Sequence, residues 1–174
     1  MRLDELKNDF PDIPDFVHDM IQEEVEKQKG QYKAKSSVKI ELNETAYIPK
    51  NYIEEYEKIN IYKRAVEMTD FQEIQNLFSE IEDRFGKAPD EVKNLFRFLE
   101  IKALALKYGV SQIKKENNGS YVMTFNKEII IPEKIISMIT KGKCSLKGKD
   151  TIKYSKDIME FFKEYEEEEI EGIL

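Results

Sequence analysis

The sequence predicts an α+β fold: a small mixed or antiparallel sheet with helices packed on one side, plus an appended helix at the N-terminus. Three observations predict it. Val38, Ile40 and Leu42 alternate with charged residues, as in a half-buried strand. Stretches of helical spacing then occupy residues 52 to 106, and after Gly109 the pattern returns to short alternating runs broken by turn residues. Helices grouped before strands indicate an α+β domain, whereas an α/β chain alternates the two.

Two regions follow, residues 1–36 and 37–174. In the first, Asp4, Glu5, Asp9, Asp12 and Asp15 surround Pro11 and Pro14, giving an extended acidic lead-in. A linker helix is expected from Pro14 to Lys29, with Phe16, Val17, Met20, Ile21 and Val25 on one face and Gly30 at its C-terminal cap. In the second region, the strand around Val38–Leu42 leads through Ala46-Tyr47-Ile48-Pro49, a turn, into a helix with Tyr52, Ile53, Tyr56, Ile59, Tyr62 and Val66 as its apolar stripe.

Thr69 and Gln72 have capping-box spacing and start a second helix, whose inner face carries Phe71, Ile74, Leu77, Phe78, Ile81 and Phe85. Gly86 ends it. Pro89 suits the first turn of a third helix through Val92, Leu95, Phe96, Leu99, Ala103 and Leu106, stopped at Gly109. Val110–Lys115 and Tyr121–Phe125 flank Asn117-Asn118-Gly119, a strong hairpin turn. Ile129–Ile131 reads as a further strand, and Pro132 opens a helix through Ile135, Ile136 and Ile139. Strands at Lys143–Leu146 and Thr151–Tyr154 precede a last helix using Ile158, Phe161, Phe162 and Tyr165, which runs into the acidic tract Glu166–Glu169. The first strand has to cross over the helices to reach its partners.

Composition narrows the functional classes. The 174 residues carry 35 acidic and 28 basic side chains, a net charge of −7, which argues against nucleic acid as the main partner. Lys141, Lys143, Lys147 and Lys149 fit a solvated edge strand guarded by lysine better than a phosphate site. A single cysteine, Cys144, excludes an internal disulfide and fits a reducing cytoplasm. No run is apolar for long enough to span a bilayer, so a soluble cytoplasmic protein is expected.

Chemistry is scarce. His18 and Cys144 are the only histidine and cysteine, too few for a structural zinc site, and they are far apart in sequence. Gly142 and Gly148 lack the spacing of a nucleotide loop, and Lys149 is followed by Asp150 where such a loop needs a hydroxyl. The informative segment is Glu80-Ile81-Glu82-Asp83-Arg84-Phe85-Gly86-Lys87-Ala88-Pro89. Helical geometry turns Ile81 and Phe85 inward and leaves Glu80, Asp83 and Arg84 beside them near a helix C-terminus, where acids oppose the dipole. Two readings stand: Arg84 pairs with Glu80 at i,i+4 and closes the helix, which residue physics alone favours, or the acidic pair meets a basic residue of a partner.

That segment resembles the Glu-x-x-Asp-Arg-Phe-Gly-x-x-Pro signature of the C-terminal domain of bacterial transcription-repair coupling factors. Ala46-Tyr47-Ile48-Pro49-x-x-Tyr52-Ile53 is similar to an upstream motif of that family, and Ile59, Tyr62, Lys63 and Arg64 to its continuation. Ile101-Lys102, Ala105, Tyr108-Gly109-Val110 and Ile113 extend the match to about residue 115. The resemblance implies one domain of a longer DNA translocase that displaces stalled RNA polymerase and recruits the excision-repair protein UvrA. It also implies a docking role, in which this domain covers the UvrA-binding surface of an intramolecular UvrB-like N-terminal module through Glu80, Asp83 and Arg84. No catalytic residue, metal or cofactor is then expected in this chain, since ATP and magnesium belong to the motor modules. A protein-interaction module with another partner is the alternative, and a carboxylate-based hydrolase a distant third.

Overall fold

A computed structural model describes residues 38–126 and 132–168 of the chain. Among them are five helices and one five-stranded mixed sheet, the α+β class expected. The N-terminal lead-in, the linker helix expected around His18, and the run Ile129–Ile131 lie outside the described residues. The chain divides into two compact units, one holding Glu44–Ala103 and the other Val38–Asn43 together with residues 104–168.

The first unit is helical. The Pro49 carbonyl accepts from the amides of Tyr52 (3.0 Å) and Ile53 (3.3 Å), so a turn holds both residues before helix α1, Glu55–Glu67, begins. This resets the phase of the expected stripe. Lys58, Ile59, Ile61, Tyr62 and Ala65 are buried, whereas Tyr56, expected in the stripe, is 77% exposed. Burial pushes the Lys58 ammonium below its ordinary pKa. Tyr62 earns its place in the core by accepting the Ile48 amide at 2.8 Å on its hydroxyl.

Helix α2 spans Phe71–Phe85, and its cap is Asp70, not the Thr69 expected: the Asp70 carboxylate accepts from the amides of Gln72 (2.9 Å) and Glu73 (3.1 Å). Ile74, Leu77 and Ile81 are fully buried along one side. Each such side chain contributes about 1.5–3 kcal/mol by leaving water. Phe71, Phe78 and Phe85 are only half-buried, and Phe78 meets Phe96 of helix α3, Asp90–Tyr108, at 5.2 Å between ring centroids.

In the second unit the strands are β1 Lys39–Glu41, β2 Val110–Lys115, β3 Tyr121–Phe125, β4 Ser145–Leu146 and β5 Thr151–Tyr154, in the order β1-β2-β3-β5-β4. β1 and β2 are parallel and every other pair antiparallel. Parallel neighbours need a long crossover, which the three helices between them supply. The register places Ile40, Ile113, Met123 and Ile152 in one row across the sheet, and all four are buried. The next row, Glu41, Lys114, Val122 and Lys153, is on the wetter face. Gly109, at φ +73°, takes the left-handed conformation that ends α3 and turns the chain into β2.

Helix α4, Glu133–Thr140, buries Ile135 and Met138. Ile136 was expected inside and is exposed, because one residue beyond Ile135 the helix has already turned by about 100°. Helix α5, Ile158–Glu167, buries Ile158, Phe161 and Phe162, and the Phe161 ring packs edge-on against Tyr154 at 5.3 Å, so α5 covers the buried face of the sheet. β4 is an edge strand of two exposed residues between Cys144 and Lys147, as the lysine-guarded reading expects.

Candidate docking surface

α1 and α2 lie antiparallel, and a ladder of charge runs along their seam. Glu57, one heptad before Arg64 on α1, accepts from Arg84 on α2 at 3.3 Å. Arg64 in turn donates from both terminal guanidinium nitrogens to the two carboxylate oxygens of Glu80, at 3.1 and 2.9 Å. The fork-to-fork geometry suits arginine. These hydrogen bonds draw the Glu80 carboxyl below its usual pKa and raise that of Arg64. Both side chains of the Arg64–Glu80 pair stay nearly half exposed, at 47% and 43%.

The end of α2 is built tightly underneath. Arg84 lies over the Phe85 ring, 4.9 Å from its centroid. The Tyr52 hydroxyl donates to the Gly86 carbonyl at 2.6 Å, and burial followed by the Glu82 charge raises the pKa of that phenol. Glu82 turns away from solvent to accept the Ala88 amide at 2.9 Å. Gly86 has φ +87° with an extended ψ, a conformation that side-chain-bearing residues avoid. Arg84 is thus held by an ion pair and a ring. Asp83, exposed beside it, has no ion-pair partner among the described residues.

Glu80, Asp83 and Arg84, singled out from the sequence, are therefore all on the surface of one helix. The expected i,i+4 pair between Arg84 and Glu80 is not the arrangement found, since each reaches across to α1. Residue spacing within one helix cannot reveal a partner on another. The contributing residues missed were Glu57 and Arg64, and their seven-residue spacing was the available signal.

Next to the Arg64–Glu80 pair, the end of α1 and the middle of α2 enclose an open hollow of about 490 Å³. Leu77 and Met68 line it with apolar surface, and Glu67 and Glu73 bring two further carboxylates. Among the described residues no cluster of acidic, cysteine or histidine side chains could hold a metal ion.

The second unit has a different electrostatic centre. Glu168, 1% exposed at its side chain, accepts from Lys141 (2.6 Å), Lys143 (2.8 Å) and Ser137 (2.8 Å). These donors hold its carboxyl down to about 2. Two residues earlier, Glu166 takes a hydrogen bond from Tyr108 and pairs with Lys107 at 3.2 Å. Cys144, buried and close to Glu164 and Glu168, has its thiol pushed up to about 11, which makes it unreactive at neutral pH.

Comparison with known proteins identifies the chain. The TRCF domain family matches residues 42–135, more than half its length. The transcription-repair-coupling factor of Borreliella burgdorferi is 31% identical over 129 residues, covering 73% of this chain. That of Staphylococcus aureus is 36% identical over 104 residues, or 58% of the chain. The chain spans only 12% and 9% of those two relatives. A crystal structure of the C-terminal domain of transcription-repair coupling factor shares the fold with a TM-score of 0.59, over 74% of this chain and 86% of that one, at 22% identity. With its signature helix on the α1–α2 seam, the chain belongs to the TRCF family of C-terminal domains of transcription-repair coupling factors.

Proposed function

We propose that this domain is a reversible lid. In the whole protein, an ATP-dependent DNA translocase that displaces stalled RNA polymerase, it covers the UvrA-binding surface of the UvrB-like module and is displaced when UvrA is recruited. The observation that carries this reading is the exposed end of α2. Glu80 and Arg84 are fixed in orientation by α1, and Asp83 between them presents an unmatched carboxylate beside a rigid guanidinium. Side chains already fixed lose little entropy when a partner docks.

Glu80→Ala with Asp83→Ala in the full-length protein is expected to raise UvrA binding without unfolding this domain. Losing charge at a desolvated contact costs about 2–5 kcal/mol of docking, enough to open a marginal closed state. Because Arg64 already engages Glu80, Asp83→Ala alone should deliver most of the effect. Unchanged UvrA affinity in the double variant, measured by titration, refutes the assignment.

A further inference from the structure

We infer that the hollow between the end of α1 and the middle of α2 is a receptor for an arginine side chain presented by the docked protein. The inference deepens the lid reading and rests on it. It extends the interface from the α2 terminus to Glu67, Met68, Glu73 and Leu77, which the family signature does not contain.

The hollow has three parts of distinct chemistry. Its floor is apolar, formed by Leu77, which is buried, and Met68, which is half-buried. One wall is the Arg64–Glu80 pair, whose charges cancel. The rim carries Glu67 and Glu73, both exposed and without a cationic partner among the described residues. The surplus is two negative charges over an apolar base. The backbone adds to it, because α1 ends at Glu67 and its last carbonyls carry the negative end of the helix dipole. The facing N-terminus of α2 is already neutralised by the Asp70 carboxylate on its amides.

A lone ammonium or metal ion would use the rim and waste the floor. A long cationic side chain uses both, with its methylenes on Met68 and Leu77 and its charged head between the glutamates. Arginine fits better than lysine, because its planar fork can bond two carboxylates and is less strongly hydrated. The same chemistry is already realised beside the hollow, where Arg64 lays its guanidinium on Glu80.

Two measurements test this. In the first, the isotopically labelled chain is titrated with acetyl-arginine methylamide and, separately, acetyl-lysine methylamide, following amide resonances. Saturable shifts centred on Glu67, Met68, Glu73 and Leu77 are expected, larger for arginine and absent in Glu67→Gln with Glu73→Gln. Shifts scattered over the acidic surface, or unaltered in the double variant, overturn the inference. In the second, the full-length protein carrying Glu67→Gln and Glu73→Gln should bind UvrA about fivefold more tightly, as loss of about 1 kcal/mol of closure implies. If Asp83→Ala opens the protein and this variant does not, the lid reading survives and the receptor is refuted. If arginine saturates the hollow but neither variant changes UvrA binding, the hollow binds arginine and the lid reading fails.

Discussion

Glu80 and Glu168 each meet two cationic nitrogens, and they differ in almost everything else. Glu80 sits on the α1–α2 seam, nearly half exposed, facing a guanidinium that is equally exposed. Glu168 is enclosed at the end of α5, with its two lysines little more than a third exposed. The same chemical pairing therefore does opposite things. An exposed pair competes with water and is worth little, so a partner can replace either member cheaply. An enclosed carboxylate cannot return to water without moving the helix end that carries it, so it fixes structure. The charged surface suited to exchange lies in the first unit, and the charge that locks the fold lies in the second.

The largest expected effect tests the second half of that contrast. Glu168→Gln keeps the shape and removes the charge, leaving Lys141 and Lys143 to be resolvated in part. Urea unfolding should show a loss of about 2 kcal/mol. The pH dependence gives the sign independently. The folded-state pKa of Glu168 falls from an ordinary 4.5 to about 2. Its contribution is therefore complete above about pH 5 and is lost as pH falls through about 2. The difference in stability between parent and Glu168→Gln should shrink steadily across that acid range. A difference that is flat with pH would mean that Glu168 acts by packing alone, and the comparison with Glu80 would break.

A smaller effect is expected in the first unit, from a residue that is not part of the ladder. Asp70 caps α2 through two amides, and Asp70→Ala should cost about 1 kcal/mol by thermal unfolding. If the seam is held by its cap and by the buried Ile74, Leu77 and Ile81, this single uncharging should outweigh removal of either ladder pair. A cap variant less damaging than Arg64→Ala would reverse the assignment of what holds α2.

These contrasts show which features sequence pattern can carry. Alternation placed Val38, Ile40 and Leu42, and Tyr121, Met123 and Phe125, on the buried face, because strand periodicity is local and every second residue obeys it. Helix ends at Gly86 and Gly109 were equally legible, since both glycines take positive φ. Tyr56 was misplaced because its helix starts at Glu55, beyond the Tyr52 and Ile53 of the expected stripe, and Ile136 because adjacent helical residues lie about 100° apart. The Glu80, Asp83 and Arg84 surface was legible as a surface, but its pairing was not, because the antiparallel approach of α1 is a tertiary fact. Glu168 was invisible within the tract Glu166–Glu169: four identical residues give no hint that one is enclosed.

The smallest expected effect is the most direct probe of the exposed half. A double-mutant cycle on Arg64→Ala and Glu80→Ala isolates the pair from whatever else each side chain touches. Two parallel hydrogen bonds favour a value near the top of the exposed range, while half exposure and salt screening pull it down. The coupling should be about 0.5–1 kcal/mol and should decline in high salt. A coupling of about 2 kcal/mol or more, insensitive to salt, would make Glu80 as structural as Glu168. The proposed docking contact would then rest on Asp83 and Arg84 alone. A small, salt-sensitive coupling instead makes the pair an orienting contact that the fold can lose at little cost, the opposite of Glu168.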